Sequence, residues 1–202
     1  MAKKPARPTI YLAGPDVFLR KAKVIGALKV EICARHGLDG KFPLDKEIDL
    51  AGLPIAEQGY AIARACEGVM LGCDAAIANL TPFRGVSMDA GTAYEIGFIR
   101  GLGKPVFGYT NSRLSYFDRV MKFEGGKLRA RGGKSPAFVL EDDMKMGVED
   151  HGFVENLMIE GAVHESGADV VAMKTRRGVR YTDLTAFEDC VKQAAEILLH
   201  RS

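Results

Sequence analysis

The sequence predicts an α/β fold, a parallel five-stranded sheet covered by helices on both faces, and three observations predict it. Short apolar runs alternate with longer stretches of helical period along most of the chain. The runs at residues 9–13 and 74–80 are too apolar to face water on either side, as in strands buried between helical layers. The 202 residues, 47% of them hydrophobic, suit one domain with an ordinary core.

Taken in order, Thr9 to Ala13 is a β-branched and aromatic first strand that ends at Gly14-Pro15. Asp16 opens an apolar pattern through Val17, Ala22, Ile25, Leu28 and Ile32 to a stop at Gly37, which predicts one helix of about five turns. Residues 40–44 are expected to form a short second strand, and the polar stretch from Asp45 to Gly52 a lip of the pocket. Residues 54–72 read as a helix with Ile55, Ile62, Ala65, Val69 and Met70 inward. The third strand at 74–80 leads through a Pro-Phe-Arg-Gly turn into a helix continuing to Leu102, and residues 104–109 form the fourth strand. A short helix over 111–120, helical periodicity at 153–159, a last strand at 168–173 and an amphipathic helix over 182–199 complete the pattern. Residues 124–150, rich in Gly and charge, read as a surface insertion into a single domain spanning 1–202.

Composition excludes several classes of function. A net charge of +2 gives no electrostatic case for nucleic acid, and no apolar run is long enough to span a membrane. Lys3, Lys4 and Arg7 are expected to form a frayed basic tip; no apolar stretch follows them, so no secretory signal is expected. Cys33, Cys66, Cys73 and Cys190 make no C-x-x-C pair, which points to free thiols in a cytoplasmic protein. The four histidines lack zinc spacing, and neither a metal nor a cofactor is expected.

The chemistry concentrates between Ser87 and Gly97. Asp89 and Glu95 are six residues apart, roughly 600° around a helix, so they share a crevice only if Asp89 lies in the loop or first turn. Gly91, Thr92, Ala93 and Gly97 leave space around Glu95, while Tyr94, Ile96 and Phe98 limit its solvation and raise its pKa. An Asp at a helix start is otherwise a cap, and a Glu in the second turn is otherwise solvated. The loop Gly14, Pro15, Asp16, Val17, Phe18, the lip at Asp45, the turn containing Phe83, and Tyr11 should converge on the same mouth. Asp16 serves equally as a helix cap or as a contact to a base. There is no Gly-rich phosphate cradle and no G-x-S-x-G. A carboxylate nucleophile beside a second carboxylate suits attack at an anomeric carbon, where the transition state is oxocarbenium-like.

The segments Ile-Tyr-Leu-Ala-Gly-Pro-Asp-Val-Phe (10–18), Asp-Ala-Ala-Ile-Ala-Asn-Leu-Thr-Pro-Phe-Arg-Gly (74–85) and Asp-Ala-Gly-Thr-Ala-Tyr-Glu-Ile-Gly (89–97) together resemble the nucleoside 2-deoxyribosyltransferase family. The resemblance runs in register from about residue 9 to 110 and resumes at 153–159. It implies a flavodoxin-like three-layer α/β/α domain that forms dimers or larger homo-oligomers with shared pockets, acting on a nucleoside and a free nucleobase. It places Glu95 as the nucleophile, Tyr11 beside it, and Asp89 on the sugar hydroxyls. Asn156, with Met158 next to it, would reach the 5′-hydroxyl in a neighbouring subunit. One departure is Cys66, where the family often has an Asp or Asn that helps hold or protonate the base. Glu67, Asp45 and Asp16 are the candidates to replace it. Three readings follow: a transferase, a hydrolase acting on the same sugar bond through the same Glu95, and a non-catalytic nucleotide sensor. Asp16 in the first loop argues against a phosphorylated substrate.

Overall fold

A computed structural model describes residues 6–45, 48–132 and 140–200. Lys3 and Lys4, and the apolar residues at 137–139, lie outside the described residues. Five strands form the main sheet: β1 (Thr9–Ala13), β2 (Asp39–Lys41), β3 (Ala75–Asn79), β4 (Val106–Thr110) and β8 (Val171–Ala172). Their order is β2-β1-β3-β4-β8, and every pairing is parallel. Between β4 and β8 in the chain, β5 (Arg129–Ala130), β6 (Leu140–Glu141) and β7 (Gly147–Val148) make a small antiparallel sheet. The helices are α1 (Ala22–Arg35), α2 (Ile55–Leu71), α3 (Ala90–Gly101), α4 (Tyr116–Phe123), α5 (Leu157–His164) and α6 (Thr185–His200).

Every residue of β3 and β4 is buried, because helices cover both faces of the sheet. Helix α1 packs on α6, while α3 packs between α2 and α5. Ile10, Leu12, Ile77 and Phe107 from the strands meet Ile96, Ile99, Phe187 and Val191 from the helices in one core. Fully burying each such side chain stabilises the fold by about 1.5–3 kcal/mol. The strand order reverses between β1 and β3, so the loops leaving them diverge and open a crevice at their carboxyl ends. That crevice holds the site.

Several boundaries differ from the sequence reading. The five-turn helix from Asp16 is broken: a single 3-10 turn spans Pro15–Phe18, Leu19 is extended, and α1 starts at Ala22. Its first turn is held apart because Asp16 is drawn into the core. The second strand ends at Lys41; Asp45 accepts from the Phe42 amide and folds the chain into a turn. The fourth helix starts later, at Tyr116, where Ser115 caps it through the Asp118 amide. The helix expected over 153–159 starts at Leu157, after Asn156, and runs to His164. The last strand shrinks to Val171–Ala172. Helix α2 buries only Met70: Ile55 is 88% exposed and Ile62 is 42% exposed, against the inward placement expected of both.

Candidate active site

Strand β1 delivers Tyr11, fully buried, to the carboxyl end of the sheet. Helix α3 follows β3 and delivers Glu95 in its second turn. The Tyr11 hydroxyl donates to Glu95 Oε1 at 2.5 Å. Asp89 occupies the N-cap of α3, where its Oδ2 accepts from the Thr92 amide at 3.0 Å and the Thr92 hydroxyl at 3.1 Å. As a cap it sits before the first helical turn, so both carboxylates border one cavity of about 410 Å³ together with Gly91. The capping role and the cavity-facing position are compatible, since both capping bonds fall on one oxygen.

Burial is the main cause that lifts the Glu95 carboxyl from its ordinary 4.5 to about 7; the charge of Asp89 adds to the rise and the Tyr11 hydrogen bond opposes it. Burial, then the neighbouring Glu95 charge, pushes the Tyr11 phenol far up, so it stays a proton donor. Burial also raises the Cys66 thiol, which therefore stays protonated beside the pair. Glu95 is thus a carboxylate in the upper range of a general base or nucleophile near neutral pH.

The loop before Asp89 is anchored from below. Arg119 and Glu155 form a buried ion pair at 3.0 Å. The Arg119 Nε donates to the Val86 carbonyl at 2.5 Å, and Glu155 accepts from the Ser87 hydroxyl at 2.6 Å and the Met88 amide at 3.1 Å. This fixes the approach of the chain to the α3 N-cap.

Of the residues expected at the mouth, Gly14, Phe18, Cys66, Asp89, Gly91 and Glu95 line the cavity. Phe83 reaches it through Phe18, on which it stacks at 5.3 Å between ring centroids, with the Arg84 guanidinium over both rings. Pro15 is buried in the 3-10 turn. Asp16 does not face the cavity. It is 1% exposed, ion-paired with Lys29 at 2.6 Å and bonded by the Asn79 amide at 3.3 Å. Gly14 makes room for this, since a Cβ there would come within 2.5 Å of Asp16 Oδ2 and 2.9 Å of Asn79 Cβ. A neutralised, enclosed Asp16 neither meets a base nor repels a phosphate. Asp45 is turned onto the Phe42 amide, and Glu67 accepts a hydrogen bond from the Tyr94 hydroxyl.

Asn156 and Met158 lie away from this cavity in the same chain. Asn156 caps α5 through the Met158 amide and donates to Glu149 at 2.9 Å. Met158, 73% exposed, borders a groove of about 620 Å³ between α3 and α5. Val17, expected at the mouth with its loop, lines the cavity too; sequence reasoning missed Pro43, Leu44, Ile62 and Lys23, and read 45–52 as a polar lip without singling out Ile48 and Leu50 as apolar wall. Ile48 and Leu50, isolated in a polar segment, were the available signal. Among the described residues, no group of three or more His, Cys, Asp or Glu side chains is placed to hold a metal ion.

A model of the family described as nucleoside 2-deoxyribosyltransferase matches residues 10–158. The uncharacterized protein C191.05c of Schizosaccharomyces pombe is 33% identical over 195 residues, covering 93% of this chain and 89% of that protein. A 2-desoxiribosyltransferase from Leishmania mexicana is similar in structure, with a TM-score of 0.55 at 21% identity, over 88% of this chain and 96% of that one. A conserved protein from Enterococcus faecalis V583 gives a TM-score of 0.52 at 21% identity, over 94% and 99%. At these identities the two structures speak for the fold, which they share.

Proposed function

Because this chain belongs to the nucleoside 2-deoxyribosyltransferase family, we propose that it moves 2-deoxyribose between nucleobases, with Glu95 as the nucleophile. The observation that carries this reading is the half-buried Glu95 carboxylate, bonded by Tyr11 and sharing one cavity with Asp89. In the first half-reaction, a Glu95 oxygen bonds to C1′ as the C1′–N bond breaks, and its electron pair leaves with the base, which takes a proton from water. Asp89 holds the sugar hydroxyls, and its charge with that of Glu95 stabilises the positive charge developing on the ring. Tyr11 holds the attacking carboxylate in one orientation and keeps a donor on it when the ester breaks. In the second half-reaction, a nitrogen of the incoming base attacks C1′, loses its proton to water and returns Glu95 as a carboxylate. Two inversions leave the configuration retained.

A homo-oligomer with shared pockets accompanies this reading. Asn156 stands on a different part of its own chain from Glu95, and its neighbours Leu157 and Met158 are exposed, as suits side chains that reach a neighbour's site. The test is incubation with deoxyinosine, with and without a second free base, of the native chain and of Glu95→Ala. New nucleoside formed by the native chain alone is the expected result. Near-normal exchange by the variant would remove Glu95 from the mechanism, and free deoxyribose without new nucleoside would identify a hydrolase. No reaction over a panel of deoxynucleosides would favour a sensor.

A further inference from the structure

We propose that the cavity beside Glu95 selects an aglycone with an apolar edge, a flat heterocycle bearing alkyl groups, over an ordinary purine or pyrimidine. The inference rests on the reading of Glu95 as the group that meets the sugar carbon. Helix α3 supplies the carboxylates Asp89 and Glu95 to the cavity. With C1′ against Glu95 and the sugar hydroxyls at Asp89, the aglycone falls against the rest of the described wall. That wall is mostly hydrocarbon: Val17 and Phe18 from the 3-10 turn, Leu44, Ile48 and Leu50 from the segment after β2, and Ile62 from α2.

Three of these side chains are exposed although apolar: Phe18 at 58%, Leu44 at 38% and Ile62 at 42%. A ligand that covers them removes apolar surface from water, which favours binding in proportion to the area covered. A polar base edge gains nothing from the same wall. Each ring nitrogen or carbonyl buried there without a partner weakens binding by roughly five- to a hundredfold.

The described acids nearest in sequence to this wall already accept hydrogen bonds. Asp16 is bonded to Lys29 and Asn79, Asp45 to the Phe42 amide, Asp49 to the Ala51 amide, and Glu67 to Tyr94. Cys66 offers only a weak thiol donor. Lys23 also lines the cavity, but it is an exposed side chain, so a polar contact to it competes with water.

The experiment titrates the full chain, by calorimetry, with free hypoxanthine, benzimidazole, 5-methylbenzimidazole and 5,6-dimethylbenzimidazole. Free heterocycles report binding in the cavity independent of how well each leaves a sugar, and the methyl series with two wall variants reads the hydrocarbon wall. Benzimidazole is expected to bind roughly tenfold more tightly than hypoxanthine, and each methyl to add about fourfold. Leu50→Asn and Ile62→Asn, both at accessible positions, are expected to flatten the methyl series. Hypoxanthine binding as tightly as benzimidazole, a flat series, no detectable binding, or a rising series that both variants leave untouched would each overturn the proposal. Failure here is separate from failure of the transferase reading. Glu95-dependent exchange with a flat series leaves a transferase for ordinary bases, and a rising series without exchange leaves a ligand cavity without that chemistry.

Discussion

Replacing Glu95 by Gln is expected to stabilise the folded chain at pH 8 while changing little at pH 4. The carboxyl titrates at about 7 in the fold against an ordinary 4.5. The folded state therefore binds more protons than the unfolded chain between those values, and stability falls as pH rises through that window. At about 1.4 kcal/mol per pH unit, the full displacement corresponds to ~3 kcal/mol. Partial exposure of the side chain and water entering the cavity reduce this, so about 1–2 kcal/mol is expected. Gln keeps an oxygen to accept from Tyr11, so the comparison isolates the charge. The assay is urea unfolding of both chains at pH 4 and pH 8, read as the shift in midpoint at constant slope. A variant less stable than the native chain at pH 8, or equally displaced at both pH values, would refute the account of Glu95 as a desolvated carboxylate. The same variant is expected to lose base exchange at every pH, so stability and activity part at this position.

Two further outcomes follow from the same contacts. Tyr11→Phe removes the hydrogen bond that holds Glu95 down, so the acidic limb of the pH–rate profile is expected to move above 7 and activity at pH 6 to fall roughly tenfold; an unmoved limb would show that Tyr11 does not tune the nucleophile. Lys29→Met leaves the Asp16 charge buried and unpaired, with an expected loss of about 3–5 kcal/mol in denaturant unfolding. The double change Asp16→Asn with Lys29→Met is expected to recover most of that loss with KM unaltered, and a raised KM would return Asp16 to the substrate site.

The capping of α3 shows why part of the site was legible. An Asp followed three residues later by a Thr amide is a local arrangement, and small residues on either side of Glu95 are visible in the chain itself. The lip at 45–52 was legible but its apolar character was not, because Ile48 and Leu50 come from a segment with no periodicity and Ile62 from a helix face expected to be inward. Asp16 was misread for a related reason. In sequence it stands at a turn, where a cap or a ligand contact is the ordinary expectation, and its ion-pair partner Lys29 looks like one more surface lysine on α1.

The amino-acid sequence by itself determined the alternation of strands and helices, the parallel sheet, and the placing of Asp89 and Glu95 six residues apart near the start of one helix. These depend on residue period and on neighbours a few positions apart, where backbone geometry does the placing. The tertiary structure alone decided how far the Glu95 carboxyl is raised, the enclosure of Asp16 and the assembly of the hydrocarbon wall. Desolvation and ion pairing act through space: Tyr11 meets Glu95 across 84 positions of chain, and Asn79 meets Asp16 across 63. Only the order in which the strands lie side by side brings such groups within reach of one another.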